Sequence, residues 1–342
     1  VAAFHADAPL SDAEARAVWP LVVLRAALLV ASGWRQLEID GDNDYARERI
    51  AGEQAIFDAA TLLPLAEVCE QVLARVGVEA PQFSGRVEGA PLTAVLPDFT
   101  GTVEAVDPGV ESDALDAGGW QRADAEAALV ASALAGGAGA ALLPYGVFRL
   151  TRTRVDVADA APTWPVHTEI HLGAGPRLRV TSPVDGALRA SREEPRIVLG
   201  DGWILDLRGV EIDDRAALHV SAGDMVGWLP ASDTDRVLTL GLRRSDAPER
   251  PPRAPGAALV EPERVPAWRR LTADPAPLLG VPSRAQHDES ADELARRERI
   301  FAAAQERYYA HPPQIERGWR HHLVDTTGRA YIDMVNNVAG LG

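Results

Sequence analysis

The chain has 342 residues, a formal net charge of −16 and a hydrophobic fraction of 46%, which is enough for two or three globular domains. The acidic excess argues against nucleic acid as a partner, because phosphate binding needs a basic face. Cys69 is the single cysteine. It excludes an intrachain disulfide and a multi-cysteine zinc site, and it fits a reducing, cytoplasmic setting.

The sequence contains no lysine, so every basic side chain other than histidine is an arginine. Pyridoxal-phosphate (PLP) enzymes anchor their cofactor covalently on lysine. Phosphate-loop NTPases and protein kinases place a lysine on the nucleotide phosphates. None of these mechanisms can run in its usual form from this chain alone, and we assign no catalytic residue to it.

The first 78 residues are predicted to be helical. Ser11 and Glu14 form a capping box that opens an apolar helix, which should kink or end near Pro20 or Gly33. Its most apolar run, 18–31, falls short of the roughly 20 residues that cross a bilayer, so we expect no membrane contact. Further helices are predicted over 43–60 and 65–76.

The middle of the chain changes from mixed to all-β character. Residues 79–150 are predicted as an α/β connector, with strands at 92–96, 102–106 and 140–150 and a helix over 122–135. Residues 151–243 are predicted as a small barrel or sandwich, with strands at 166–172, 178–181, 196–199, 203–207 and 236–242. Arg243 and Arg244, at its end, are expected on a solvated face.

The last hundred residues divide into a linker and a new start. Residues 244–288 are rich in proline, arginine and alanine and lack periodicity, which is typical of a linker. A helix is predicted over 290–309. A strand, a tight turn at Asp325–Gly328 and a second strand follow it.

The strand at 166–172 places His167 and His171 on one face. The order of His171-Leu-Gly, a Pro-x-x-Gly turn at 183–186 and a Gly-Asp-x-x-Gly hairpin at 223–227 resembles lysostaphin-type (LytM-like) zinc endopeptidases. In that family, zinc is bound by the histidine, an aspartate four residues later and a His-x-His.

Two departures from the LytM-like pattern stand out. The aspartate position is Gly175, and no His-x-His lies between the turn and the hairpin. Catalytic zinc needs three protein ligands, and His171 is left with His167 and the distant His219. The resemblance therefore implies a degenerate β domain without zinc, whose remnant of the metal site is His171 and His167.

The C-terminal segment carries a second resemblance. Gly318-Trp319, Tyr331-Ile-Asp333 and Asn336-Asn337 occur in the order found at the opening of class III, fold-type I aminotransferases, which are PLP enzymes. The resemblance implies that Asn336 and Asn337 contact substrate; the alternative is that they cap a turn. In that family the lysine that anchors PLP lies downstream.

The helical start resembles the last helices of an aminoglycoside-phosphotransferase or homoserine-kinase-like domain. The resemblance rests on residues 1–5, the cap at Ser11, the apolar helix that contains Arg25 and Asn43-Asp-Tyr45. An unrelated three-helix unit is the alternative. Because the chain begins at Val1 and stops after Gly342, we expect it to be an internal piece of a longer protein.

Together these segments resemble a bacterial three-module protein of α+β multidomain class. The parent would be a PLP-dependent, homodimeric class III aminotransferase that performs transamination or phospho-lyase elimination on a small amino compound. The alternative is a non-catalytic LytM-like module for binding or interdomain packing, and an active zinc metallopeptidase ranks below it. The expected divisions are phosphotransferase-like helices (1–78), connector (79–150), degenerate LytM-like domain (151–243), linker (244–288) and aminotransferase start (289–342).

Overall fold

The computed structural model of the protein describes residues 1–83, 92–156, 161–189, 195–213, 216–249, 258–286, 290–300 and 312–333. The fold mixes helices and strands, as the expected α+β class requires. The chain separates into two compact units. Unit 1 comprises Val1–Phe83, Arg244–Ala254 and Glu263–Ala273, and unit 2 comprises Ser84–Arg243, Pro255–Pro262 and Asp274–Gly342.

Helices dominate unit 1, and strands dominate unit 2. The helices are α1 (Ala2–Asp7), α2 (Asp12–Ile39), α3 (Asp44–Thr61), α4 (Leu65–Arg75), α5 (Ala125–Ala135), α6 (Val265–Leu271) and α7 (Ser290–Ile300). The first strands are β1 (Val103–Ala105), β2 (Ala140–Leu143), β3 (Trp164–Pro165), β4 (Thr168–Leu172), β5 (Leu178–Thr181), β6 (Gly186–Arg189), β7 (Arg196–Val198) and β8 (Trp203–Arg208). The later strands are β9 (Glu211–Ile212), β10 (His219–Val220), β11 (Met225–Leu229), β12 (Arg236–Arg244), β13 (Leu259–Val260), β14 (Thr272–Ala273), β15 (Ile315–Trp319), β16 (His322–Asp325) and β17 (Ala330–Ile332).

Helix α2 begins as predicted and ends later than predicted. The Ser11 hydroxyl accepts from the Glu14 backbone N–H, and the Glu14 carboxylate accepts from the Ser11 N–H, which confirms the capping box. The expected break at Pro20 or Gly33 is wrong, because α2 is continuous through both. Proline cannot donate to the carbonyl four residues back. That carbonyl, of Arg16, instead accepts from the Cys69 thiol at 3.8 Å.

Gly33 serves close packing between α2 and α3. A Cβ at position 33 would lie 2.5 Å from Ile50 Cγ1, so the two helices approach closely only because glycine is there. The side of α2 that carries Ala15 and Ala26 is buried. Its opposite side exposes Leu21 and Leu28 by 60% and 61%.

The uninterrupted length of α2 changes one prediction. Among the residues that the structure describes, α2 alone has the length and apolarity to cross a membrane, with 6% of its most apolar window buried. The run 18–31 is too short by itself, but the helix extends beyond it at both ends. Core helices of soluble proteins share this length and composition.

Two buried carboxylates on α4 bond arginines from a segment of unit 1 that was predicted as a linker. Glu67 and Glu70 are three residues apart, so they share a helix face, and they are 0% and 2% exposed. Arg264 donates to both oxygens of Glu67, and Arg270 donates to Glu70 at 2.6 Å. The linker prediction for 244–288 therefore fails around α6, because its arginines are needed to neutralise buried charge.

Unit 2 is built on one open sheet. The strand order is β1-β2-β4-β12-β8-β7-β6-β10, and in the described part of the chain it does not close into the barrel considered above. β1 and β2 run parallel, while β2–β4 and β4–β12 are antiparallel. Because β2 pairs with β4, the sheet crosses the boundary expected at residue 150. Strands β5, β11 and β9 form a separate antiparallel sheet.

Other local predictions for unit 2 meet mixed outcomes. The expected strand at 92–96 is wrong, since Leu92–Ala94 forms a 3-10 turn. The solvated face expected for Arg243 and Arg244 is also wrong, because both side chains are largely buried and Arg243 Nε donates to Asp206 at 2.6 Å. The helix predicted over 122–135 is confirmed as α5.

The predicted strand–turn–strand at the end of the chain is confirmed. β16 and β17 are antiparallel, and β15 adds a third strand on the other side of β16. Asp325 Oδ1 accepts from the backbone N–H groups of Thr327 and Arg329, at 2.9 and 3.0 Å. Tyr331 Oη donates to Asp325 Oδ2 at 2.9 Å, so one carboxylate organises the whole turn.

Replacing Cys69 with alanine should cost about 0.5–1 kcal/mol of stability, because it leaves the Arg16 carbonyl without its donor. In a Pro20→Ala background the new backbone N–H can bond that carbonyl, so Cys69→Ala should cost less. Urea unfolding of the two single variants and the double variant measures this coupling. Strict additivity of the free energies of unfolding would show that the thiol does not serve this carbonyl.

Candidate functional site

The candidate site lies on one face of β4. Glu169 and His171 lie on β4 and His167 directly precedes it; the three are spaced two residues apart and both histidines contact Glu169, so the side chains lie on the same side of the sheet. β4 is an inner strand, paired with β2 on one side and β12 on the other. The sequence prediction that the two histidines share a strand face is therefore confirmed, and the structure adds the carboxylate between them.

Glu169 binds both histidines. His167 Nε2 lies 2.7 Å from Glu169 Oε1, and His171 Nε2 lies 3.1 Å from Glu169 Oε2. Because an ionised carboxylate only accepts hydrogen bonds, each Nε2 carries the proton that it donates. This leaves His167 Nδ1 as a buried acceptor, without a partner among the described residues.

Arg149 is the centre of the charge network behind the histidines. Its side chain is 0% exposed and donates to Glu169 at 3.1 Å and to Glu126 at 3.3 Å. Glu126, on α5, also accepts from Thr151 and from the half-exposed Arg152. The network thus runs from the surface at Arg152 through two carboxylates to the histidines.

Burial and charge act in opposite directions on this network. Burial alone raises the pKa of Glu169, but Arg149 and the hydrogen bonds from both histidines outweigh it and hold the pKa far below its ordinary value. The pKa of Glu126 is lowered in the same way, with Arg149 and Arg152 overcoming burial. Burial lowers the pKa of His167, Glu169 opposes this, and the charge of Arg149 adds to it.

The arrangement does not fit a catalytic zinc centre. The Nε2 atoms of both histidines are engaged with Glu169. No group of three or more metal-ligating side chains occurs among the described residues. The third candidate, His219, lies on β10, five positions from β4 in the sheet order, which is about 24 Å at ordinary strand spacing.

Two site predictions remain, the substrate contact of Asn336 and Asn337 and the absence of a covalent PLP anchor. Asn336 and Asn337 lie outside the described residues, so their substrate contact stays a prediction. Because the chain has no lysine, none of its side chains can anchor PLP covalently. Glu169 bonds both histidines and Arg149, so these side chains are suited to stabilising a polar interior.

Sequence reasoning missed Glu169, Arg149 and Glu126. Glu169 had a usable signal, since a glutamate midway between two histidines of a strand must share their face. Arg149 and Glu126 had none, because their pairing depends on how α5 lies against the sheet. No protein-family model matches the chain, and neither does any curated protein.

Replacing Glu169 with glutamine should lower the free energy of unfolding by about 3 kcal/mol, because it removes half of the counter-charge of a fully buried arginine. Urea unfolding measures the effect. Glu104→Gln is the matched control, since Glu104 lies exposed on β1 of the same sheet, and it should change stability by less than about 0.5 kcal/mol. Equal effects of the two variants would contradict the buried-pair interpretation.

Acid should destabilise the protein in two stages. The folded-state pKa of His167 lies below its unfolded value of 6.5, so the stability linked to it is present above pH 6.5 and is lost as the pH falls. The lowered pKa values of Glu126 and Glu169 add a further loss below pH 4.5, their unfolded value.

His167→Gln should therefore flatten the stability profile between pH 7 and 5, where one histidine contributes at most about 1.4 kcal/mol per pH unit. Urea midpoints across this range measure it. The exposed His219 provides the control variant, His219→Gln, whose profile should follow the wild type. A His167→Gln profile parallel to the wild type would refute the assignment.

Proposed function

We propose that this chain is the central section of a three-module protein whose reaction is PLP-dependent. The modules are a phosphotransferase-like domain, a degenerate LytM-like β domain and a class III aminotransferase. The observation that carries the proposal is the ordered sequence Gly318-Trp319, Tyr331-Ile-Asp333 and Asn336-Asn337. A three-stranded meander with a tight turn at Asp325 supports it.

The proposed reaction is transamination or phospho-lyase elimination on a small amino compound. When bound, PLP supplies the electron sink for such chemistry. This chain has no lysine to hold it, so the chain itself is proposed to be catalytically silent. The parent is proposed to be a cytoplasmic homodimer formed through its aminotransferase part, without membrane or nucleic-acid partners.

A second candidate function is an interdomain packing module. The observation that favours it is that both histidines are hydrogen-bonded to Glu169, which also accepts a hydrogen bond from the buried Arg149. A β domain whose former metal-binding face is filled with its own ion pairs retains a scaffold without the chemistry. This candidate is compatible with the first and describes what the β domain contributes to it.

The proposal is tested by treating two proteins with PLP, reducing them with borohydride and locating the adducts by peptide mass spectrometry. The first protein is a longer polypeptide, in which this chain is continued by the residues encoded downstream of it. This polypeptide should carry one adduct on a lysine and act on amino substrates. The present chain should carry none beyond its α-amino group. A longer polypeptide without a lysine adduct would overturn the proposal.

A further inference from the structure

The C-terminal meander is seated on a defined surface of unit 2. We use "meander" for strands β15–β17 (residues 315–332) and "platform" for residues 107–153. Val324 of the meander is 0% exposed and belongs to the same apolar cluster as Leu115, Trp120 and Leu150 of the platform. The meander therefore contributes to the core of unit 2, although its sequence resembles the start of a different module.

Trp319 occupies a hollow that exists because residue 118 is glycine. A Cβ at Gly118 would lie 2.3 Å from Trp319 Cζ2. Gly118 also has a φ of +79°, which L side chains rarely adopt. Glycine thus serves both the turn and the close approach of the indole ring. The contact depends on shape, and an ordinary surface loop would not provide it.

Arg317 fixes the meander to the platform backbone. Its Nε donates to the Val110 carbonyl at 2.9 Å, and its Nη2 donates to the Ser112 carbonyl at 3.0 Å. Its Nη1 donates to Asp116 at 2.6 Å. The Arg317 side chain is 14% exposed, so its two bonds to carbonyls are partly shielded from water, whereas Asp116 is 67% exposed. The planar fork of arginine suits such multiple donation, which lysine cannot reproduce.

Two threonine hydroxyls hold the tight turn of the meander by donating to its backbone carbonyls. Thr153 Oγ1 donates to the Gly328 carbonyl at 2.6 Å, and Thr163 Oγ1 donates to the Thr327 carbonyl at 2.8 Å. Two hydroxyls on unit 2 therefore bind the backbone of the turn directly. Unit 2 therefore holds the meander at two places. Arg317 and Trp319 anchor β15, and the two hydroxyls anchor the turn between β16 and β17.

We propose that the platform is a docking surface for the opening strands of the aminotransferase part, through which the β unit holds that part in one orientation. The identity of the partner rests on the proposed function, whereas the contact itself does not. The β unit then acts as a positioning element, which gives the packing module a specific surface and a specific partner.

Hydrogen–deuterium exchange of the whole chain tests the proposal. In the wild type the amides of 315–332 should be protected along with those of β4 and β12. Arg317→Ala should raise the exchange rate of the meander about 100-fold, since it removes three charge-assisted bonds, and should leave β4 and β12 unchanged. Glu316→Ala, an exposed neighbour on the same strand, should behave like the wild type.

A second variant guards against general misfolding. Thr153→Val removes one hydroxyl donor and keeps a similar volume, so it should raise meander exchange about 5- to 10-fold. Unprotected meander amides in the wild type would overturn the proposal. It would also be overturned if Arg317→Ala and Thr153→Val left meander exchange unchanged, or raised exchange in β4 by the same factor. This readout needs no PLP, so its failure and that of the proposed function are distinguishable.

Discussion

The structure of unit 2 depends on the complete burial of Arg149. A guanidinium stays charged at every relevant pH, and an unpaired buried charge costs far more than a small domain can supply. Arg149 therefore requires Glu126 from α5 and Glu169 from β4. That requirement ties a helix to the centre of the sheet and determines which face of β4 is polar. His167 and His171 lie on that polar face, where both bond Glu169.

Unit 1 solves the same problem with the same residue types. Glu67 and Glu70 are buried on α4, and Arg264 and Arg270, which bond them, come 197 and 200 residues later in the chain. Arginine is well suited to this, because its fork donates to both oxygens of one carboxylate. The arginines of this lysine-free chain thus stabilise its buried carboxylates, while the absence of lysine excludes a covalent PLP anchor.

These pairings bear on function by showing where the polar residues are used. The two histidines that resemble a metal site donate to a structural carboxylate. The meander that resembles an aminotransferase start is used, within this chain, as part of a core. Under the proposed function, the chain is a scaffold between modules, and the reacting groups belong to residues that it does not contain.

The sequence predicted features that depend on neighbouring residues. The capping box at Ser11, the shared face of His167 and His171 and the turn at Asp325 each rest on contacts between residues close in the chain. Such contacts follow from backbone geometry, so they can be recognised without knowing the fold. The absence of a lysine anchor is also a property of sequence alone.

Tertiary structure decided the features that depend on distant partners. Helix α2 continues past Pro20, where the Cys69 thiol bonds the carbonyl that proline leaves free. Residues 265–271 form a helix within a predicted linker, where arginines of that region meet buried glutamates. Arg149 joins the site through a helix and a strand that come together only in the fold. Burial determines where charges must pair, and burial is not encoded in any local stretch of sequence.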